Sequence, residues 1–266
     1  MLLHVILSAG AILMVMPFVW MISTSLKTLA EAFILPPQWI PLQPQWSTYV
    51  RVTQEMPFFR YLFNTACVSV TITLGHLLIC SLSAYAFARL RFPGKNVIFL
   101  AYLATLMIPG QVLLIPSFIL IRYLGWLDTY QALIVPMLFS AFGIFLLRQF
   151  FLTLPNSLDE AAVIDGANPL QVYWHVLMPL ARPALATLGI FSLLASWNNL
   201  LWPLIVTSRS SMRVLTVGLA TLQGEHATDW PVLMAGALLS TLPLLVLFFL
   251  AQRYFVAGIA LSGLKG

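Results

Sequence analysis

Side chains able to do chemistry are scarce here, and their placement limits what the chain can be. The 266 residues hold eight Asp and Glu, four His and two Cys. The densest acidic group is Asp159, Glu160 and Asp165, in a polar stretch at 155–183 with a proline at each end. Apart from Arg148, near the end of the fourth apolar segment, His4 and His76 are the only charged or imidazole side chains inside these segments. The other notable polar groups there are the adjacent amides Asn198 and Asn199, next to Trp197. Acids at the start of a short helix complement its dipole and present charge to a partner. His76 and the two amides can hydrogen-bond either a neighbouring helix or a polar solute in a cavity. Nothing resembles a nucleophile–base–acid set, a GxxxxGK[ST] phosphate loop or a metal-ligand cluster. Cys67 and Cys80 sit in one apolar segment, roughly 20 Å apart on a helix, too far to bridge. Intramembrane acids, the usual proton relays, are also missing. A chain that moves solute uphill with this inventory must draw its energy from a partner.

The elements that position these residues are membrane spans. The chain is 61% hydrophobic and 8% charged, where a soluble domain carries about 25% charged residues. The fold class expected is an all-α membrane protein with six transmembrane helices. The spans are placed at about 2–22, 63–88, 97–121, 131–151, 184–206 and 232–252, in one permease domain covering 1–266. The net charge of +5 is scattered rather than gathered into a stripe, so no nucleic-acid partner is expected. The 23–62 loop carries Pro36, Pro37, Pro41, Pro44 and Pro57 and reads as extended, turn-rich chain. Ile108-Pro109-Gly110 and Pro116 should kink or break the third span, for packing or to line a path. The 207–231 loop is polar, and 253–266 is a tail rich in small residues.

The 155–183 stretch has its own grammar. Ser157 and Glu160 fit a capping box opening a helix at about 158–165. Gly166 should end it in a left-handed conformation. Asn168 should cap a second helix with Pro169 at its first position. Leu170, Tyr173, Trp174 and Leu177 should share one side of that helix, Pro179 should end it, and Pro183 should open the fifth span.

Glu160-Ala161-Ala162, Gly166 six residues after the Glu, and Leu177-Met178-Pro179 together resemble the EAA loop of ABC-transporter permeases. Trp197-Asn198-Asn199-Leu200-Leu201-Trp202-Pro203-Leu204 and the tail ending Gly263-Leu264-Lys265-Gly266 resemble the carbohydrate-importer, MalG-like group. The resemblance implies the type I importer permease fold. It makes 155–183 a coupling loop, in which Asp159, Glu160, Ala161, Ala162, Asp165 and Gly166 meet a cytoplasmic ATPase. It places Gly263, Leu264, Lys265 and Gly266 near the same interface, and it implies that 207–231 reaches a binding protein. The implied partners are a MalF-like sister permease, a dimer of ABC ATPase subunits that binds ATP and Mg, an external solute-binding protein and membrane lipid. The implied cargo is a sugar, an oligosaccharide or a glycerol phosphate. The chain itself is expected to need no cofactor and to catalyse nothing.

Six spans put both termini on one side of the membrane. The 89–96 loop holds three basic residues and the 122–130 loop one, so the positive-inside rule makes the first cytoplasmic. Both termini and the 155–183 stretch then lie inside a bacterial or archaeal plasma membrane. His76, Trp197, Asn198 and Asn199 are the candidate substrate-path residues. Other readings are an amino-acid or peptide importer, or a secondary transporter acting alone.

Overall fold

The computed structural model describes the backbone of residues 2–224 and 228–263, and side chains within 3–224, 228–250 and at Gln252. Among the described residues there is no strand, only an isolated antiparallel bridge between Gln223 and Thr228.

α1 (Leu2–Ser25) is mostly apolar and leaves Ile12, Leu13 and Met14 largely exposed, as a lipid-facing helix would, while its polar end at Ser23, Thr24 and Ser25 is buried. α2 (Leu29–Ala32) starts at a capping box between Thr28 and Glu31. α3 (Ser47–Glu55) follows, so the 23–62 stretch is not extended chain throughout. Its prolines mark the non-helical part, while Val52 and Thr48 on α3 are buried. α4 (Phe58–Arg89) is a continuous helix of 32 residues.

α5 (Lys95–Ala104) passes through a 3-10 turn at Thr105–Met107, and a second 3-10 turn at Gly110–Leu113 leads into α6 (Leu114–Tyr123). The two halves bend by 92°. Ile108 is extended, as a residue before proline should be, and Pro109 supplies no N–H. Pro116 makes no break of its own, because it lies in the first turn of α6, where a missing donor costs nothing.

The fourth apolar segment is also broken. α7 (Tyr130–Ile134) gives way to a 3-10 turn at Val135–Met137, and α8 (Ala141–Thr153) leaves at 42°. Pro136 forces the turn, and the Ser140 hydroxyl caps α8 by accepting from Gly143 N–H at 3.0 Å.

Next come α9 (Ser157–Ile164), α10 (Pro169–Gln171), a π-helical segment (Val172–Leu177) and α11 (Met178–Leu180). α12 (Arg182–Trp197) bends by 79° from the preceding helical run, Pro169–Leu180. It stops at Trp197, and α13 (Leu201–Val206) starts afresh. α14 (Leu215–Thr221) and α15 (Trp230–Gly263) complete the chain. α1, α4 and α15 are each long and apolar enough to cross a membrane. With the three bent pairs taken as one crossing each, the count reaches six.

Contacts divide the chain into two units, Met1–Asn64 with Arg213–Leu247 and Thr65–Met212 with Phe248–Gly266. In the first, Val52, Met56, Phe58, Tyr61, Leu215, Val232 and Ala235 form the core. α14 is therefore packed helix, and the expected polar 207–231 loop is polar only outside it. Arg51 ties α3 to the start of α15 through Asp229 (2.6 Å) and also meets Glu55 (3.0 Å). In the second unit the core joins α4, α5, α8, the π segment and α12, with Leu147, Phe151, Tyr173 and Leu177 fully buried. α4 and α8 approach closely at Gly143, where an added Cβ would meet Cys80 Sγ at 2.9 Å.

Candidate functional site

α9 carries the acidic candidates. Its N-cap is Asn156, in a helical conformation and without a side-chain cap, and Ser157 is the first helical residue. The Ser157–Glu160 capping box therefore does not form. The free amides of the first turn are met by backbone instead: Leu158 N–H by Pro155 C=O, and Asp159 and Glu160 N–H by Asn156 C=O. The helix ends as the sequence leads one to expect. Gly166 has φ +87°, with Gly166 N–H bonded to Val163 C=O (3.0 Å) and Ala167 N–H to Ala162 C=O (2.9 Å), a Schellman close.

α9 has two distinct faces. Asp159 is mostly covered and Ala162 packs against the core of the unit. Glu160, Ala161, Val163, Ile164 and Asp165 are exposed, and Ile164 is 85% so. The outward face is thus small and apolar with acids at its margins. Sequence reasoning missed Val163 and Ile164, since two aliphatics continuing a short helix look like core.

Asn168 caps the next helix as expected. Its side chain accepts from Gln171 N–H, and Gln171 returns the bond to Asn168 N–H. That capping box was not foreseen. The following turn is π-helical rather than α-helical, so the expected common face splits. Tyr173 and Leu177 are buried, while Leu170 and Trp174 stand exposed. Pro179 does not end the helix. It lies in the first turn of α11, and the chain turns at Ala181, one residue before α12 begins with Pro183 in its first turn.

α4 holds this whole stretch. The Arg89 guanidinium, 6% exposed, pairs with Asp159 (Nε to Oδ2, 3.1 Å) and donates to Asn156 Oδ1 and to Leu154 C=O (2.8 Å). Tyr85 Oη donates to Pro169 C=O at 2.9 Å. The Ser81 hydroxyl donates to Leu77 C=O and meets the Tyr173 hydroxyl at 2.7 Å. Burial pushes the Asp159 carboxyl above the usual carboxylate range. Arg89 opposes that shift and Glu160 adds to it. Arg89 was not singled out in the sequence, because it reads as a positive charge at the end of a span.

The polar span candidates do not form one site. His76 is held by protein at both nitrogens: Nε2 donates to Met137 C=O at 2.7 Å, and Nδ1 meets the Ser192 hydroxyl at 2.7 Å. It thereby fastens α4 to the break in the fourth segment and to α12. Asn198 and Asn199 are not deep in a helix but at the break between α12 and α13. Asn198 Nδ2 donates to Leu194 C=O (2.9 Å), and Asn199 Oδ1 accepts from Trp202 N–H (3.4 Å). Pro203 explains the break: it occupies the first turn of α13, and its ring would clash with the Asn199 carbonyl in a continuous helix. Trp197 is buried and Asn198 exposed. Asn198 lies six residues past Ser192, roughly 9 Å further along the axis than the level of His76. Gly263 is the last residue of α15, and Leu264, Lys265 and Gly266 lie outside the described residues. Among the described residues no group of His, Cys, Asp and Glu could hold a metal.

Comparison with known proteins matches this architecture. A permease of an arabinooligosaccharide transport system from Halalkalibacterium halodurans, AraQ, is 37% identical over 214 residues, 80% of this chain and 77% of that protein. An sn-glycerol-3-phosphate transport system permease from Yersinia enterocolitica, UgpE, is 35% identical over 265 residues, 96% of this chain and 94% of that one. A chain in the crystal structure of a bacterial ABC transporter involved in import of the acidic polysaccharide alginate superposes with a TM-score of 0.85. It is 27% identical and covers 96% of this chain and 95% of its own. The pattern of the binding-protein-dependent transport system inner membrane components matches residues 76–261, from His76 through nearly all of α15. The chain belongs to that family: it is an inner-membrane permease subunit of an ABC importer.

Proposed function

We propose that this chain is one half of a translocation pore for a sugar, oligosaccharide or glycerol-phosphate solute, paired with a MalF-like sister permease. α9 is its contact with a dimer of cytoplasmic ATPase subunits, which bind ATP and Mg and hydrolyse the nucleotide. The chain itself is not catalytic. An external binding protein delivers solute to the face that holds 207–231, and both termini and α9 face the cytoplasm.

The observation that carries this reading is the outward face of α9. Glu160, Ala161, Val163 and Ile164 are exposed on a helix whose other face is packed and ion-paired. An apolar surface of this kind, inside a polar insert, calls for a partner to cover it. Small side chains at Ala161 let that partner approach closely. The carbohydrate-type cargo is supported by the names of the relatives, two of which carry arabinooligosaccharides and glycerol 3-phosphate. Of the path candidates we assign solute contact to Asn198, which is exposed at a helix break. His76, engaged at both nitrogens, is assigned to packing.

Reconstitution of the chain with its sister permease, ATPases and binding protein tests the proposal, with hydrolysis measured across a panel of solutes. Stimulation by a sugar or glycerol phosphate is the expected outcome. Stimulation by an amino acid or peptide alone refutes the cargo class. Uptake by the chain in liposomes without ATPase subunits refutes the role altogether.

A further inference from the structure

Three hydrogen-bonding side chains of α4 reach the 155–183 stretch, at four-residue intervals: Ser81, Tyr85 and Arg89. Four residues advance a helix by about 6 Å and rotate it about 40° past a full turn, so the three share one face. Each holds a different part of the loop. Ser81 meets Tyr173 in the π segment, and Tyr85 meets the carbonyl of Pro169 at the start of α10. Arg89 meets Leu154, Asn156 and Asp159, on both sides of the start of α9.

We infer that this stripe transmits displacement of α9 to the α4 span, with Arg89 the positioning residue that sets the yield of transport per ATP. The inference rests on the reading of α9 as the ATPase contact. One bond would let the loop pivot about it. Bonds from three side chains, spread over roughly 12 Å of one helix face, fix its tilt as well as its position. The guanidinium hydrogen-bonds Asn156 and Leu154 in the chain entering α9 and ion-pairs with Asp159 in its first turn, a planar arrangement that a lysine ammonium on a flexible stem does not reproduce. Losing it also leaves the mostly covered Asp159 carboxylate without its counter-charge. Tyr85 and Ser81 clamp the return limb to the same helix, so both limbs of the loop move as one body with α4.

The test uses the complete transporter in proteoliposomes and measures ATP hydrolysed per solute imported. In Arg89→Gln, hydrolysis should stay within about twofold of the parent while import falls about tenfold or more, the loss set by bonds to a charged group. Arg89→Lys should fall between them. Tyr85→Phe removes one hydroxyl and nothing else, and should raise the ratio about two- to fivefold. The exchange of Arg89→Asp with Asp159→Arg should recover part of the yield lost in Arg89→Asp alone. A parallel fall of hydrolysis and import in Arg89→Gln and Tyr85→Phe, or an unchanged ratio in both, overturns the inference. Should Arg89→Gln not assemble, Tyr85→Phe and Ser81→Ala decide by the same ratio. Absence of solute-stimulated hydrolysis in the parent complex removes the docking reading itself, and this inference with it.

Discussion

Replacement of Gly166 isolates backbone conformation from packing. Its φ is +87°, and a Cβ built there meets nothing within 4 Å. The cost of a side chain is therefore conformational alone. Holding an L-residue in the left-handed region costs about 1–2 kcal/mol, less for Asn, whose short side chain bonds locally, and more for a β-branched residue. At about 1–2 kcal/mol the population of the closed turn falls roughly 5- to 30-fold. The bonds that report it are Gly166 N–H to Val163 and Ala167 N–H to Ala162. Amide exchange at residues 166 and 167 should accelerate in the order Gly166→Asn, Gly166→Ala, Gly166→Val. Solute-stimulated ATP hydrolysis should decline in the same order, because the end of α9 loses its fixed exit. If Gly166→Val leaves both amides as protected as in the parent, or Gly166→Asn disrupts as much as Gly166→Val, the argument from backbone strain is wrong.

Four further predictions follow from other contacts. Asn168→Ala should cost about 0.5–2 kcal/mol through its lost cap, and Ser157→Ala less than about 0.5 kcal/mol, as read by amide exchange in each helix; equal costs would restore the capping box at Ser157. His76→Leu strands the Met137 carbonyl and the Ser192 hydroxyl. It should lower stability by about 1–3 kcal/mol in detergent unfolding, while an unchanged midpoint would return His76 to the solute path. Asn198→Leu should raise the apparent solute KM about two- to tenfold, the worth of one hydrogen bond, and no change would place the binding site elsewhere. Cysteines substituted for Asn168 and Gln223 should label from opposite faces of the membrane, the first from the cytoplasm; the reverse pattern would invert the topology.

Backbone chemistry at turns was the most legible part of the sequence. Gly166 and Asn168 do what their residue types require, because each answers a local demand that no tertiary contact overrides. The apolar segments were legible as spans by length, but their breaks at 138–140 and 198–200 were not. The signal was present in the prolines. Pro116, Pro136, Pro179, Pro183 and Pro203 all lie in the first turn of a helical piece, where a missing N–H is harmless. They mark where a segment starts again, not where one bends in the middle. Pro17 in α1 and Pro243 in α15 sit inside continuous helices, so the rule is no substitute for a structure. In the sequence Asn198 and Asn199 fall inside an apolar segment, where an amide in the middle of a helix is costly unless a partner bonds it. At a helix end the same side chains bond the Leu194 carbonyl and the Trp202 amide, which is what Asn does best. Arg89 was hidden for another reason: its partners lie 65 to 70 residues further along the chain. No local pattern reports an ion pair of that span.

The π-helical segment at Val172–Leu177 has a consequence for how this chain can change in length. A π turn contains an extra residue relative to the α turn it replaces. Deleting one residue there would give an unbroken α-helix with no loss of helical hydrogen bonding. It would also rotate everything on one side of the deletion by about 100° relative to the other. Tyr173 could then not face Ser81 while Leu177 and Ala181 kept their buried places. Surface loops absorb insertions and deletions readily. This helix does not: its residue count is set by two contacts that must be met at once, and the surplus residue is stored where the turn widens.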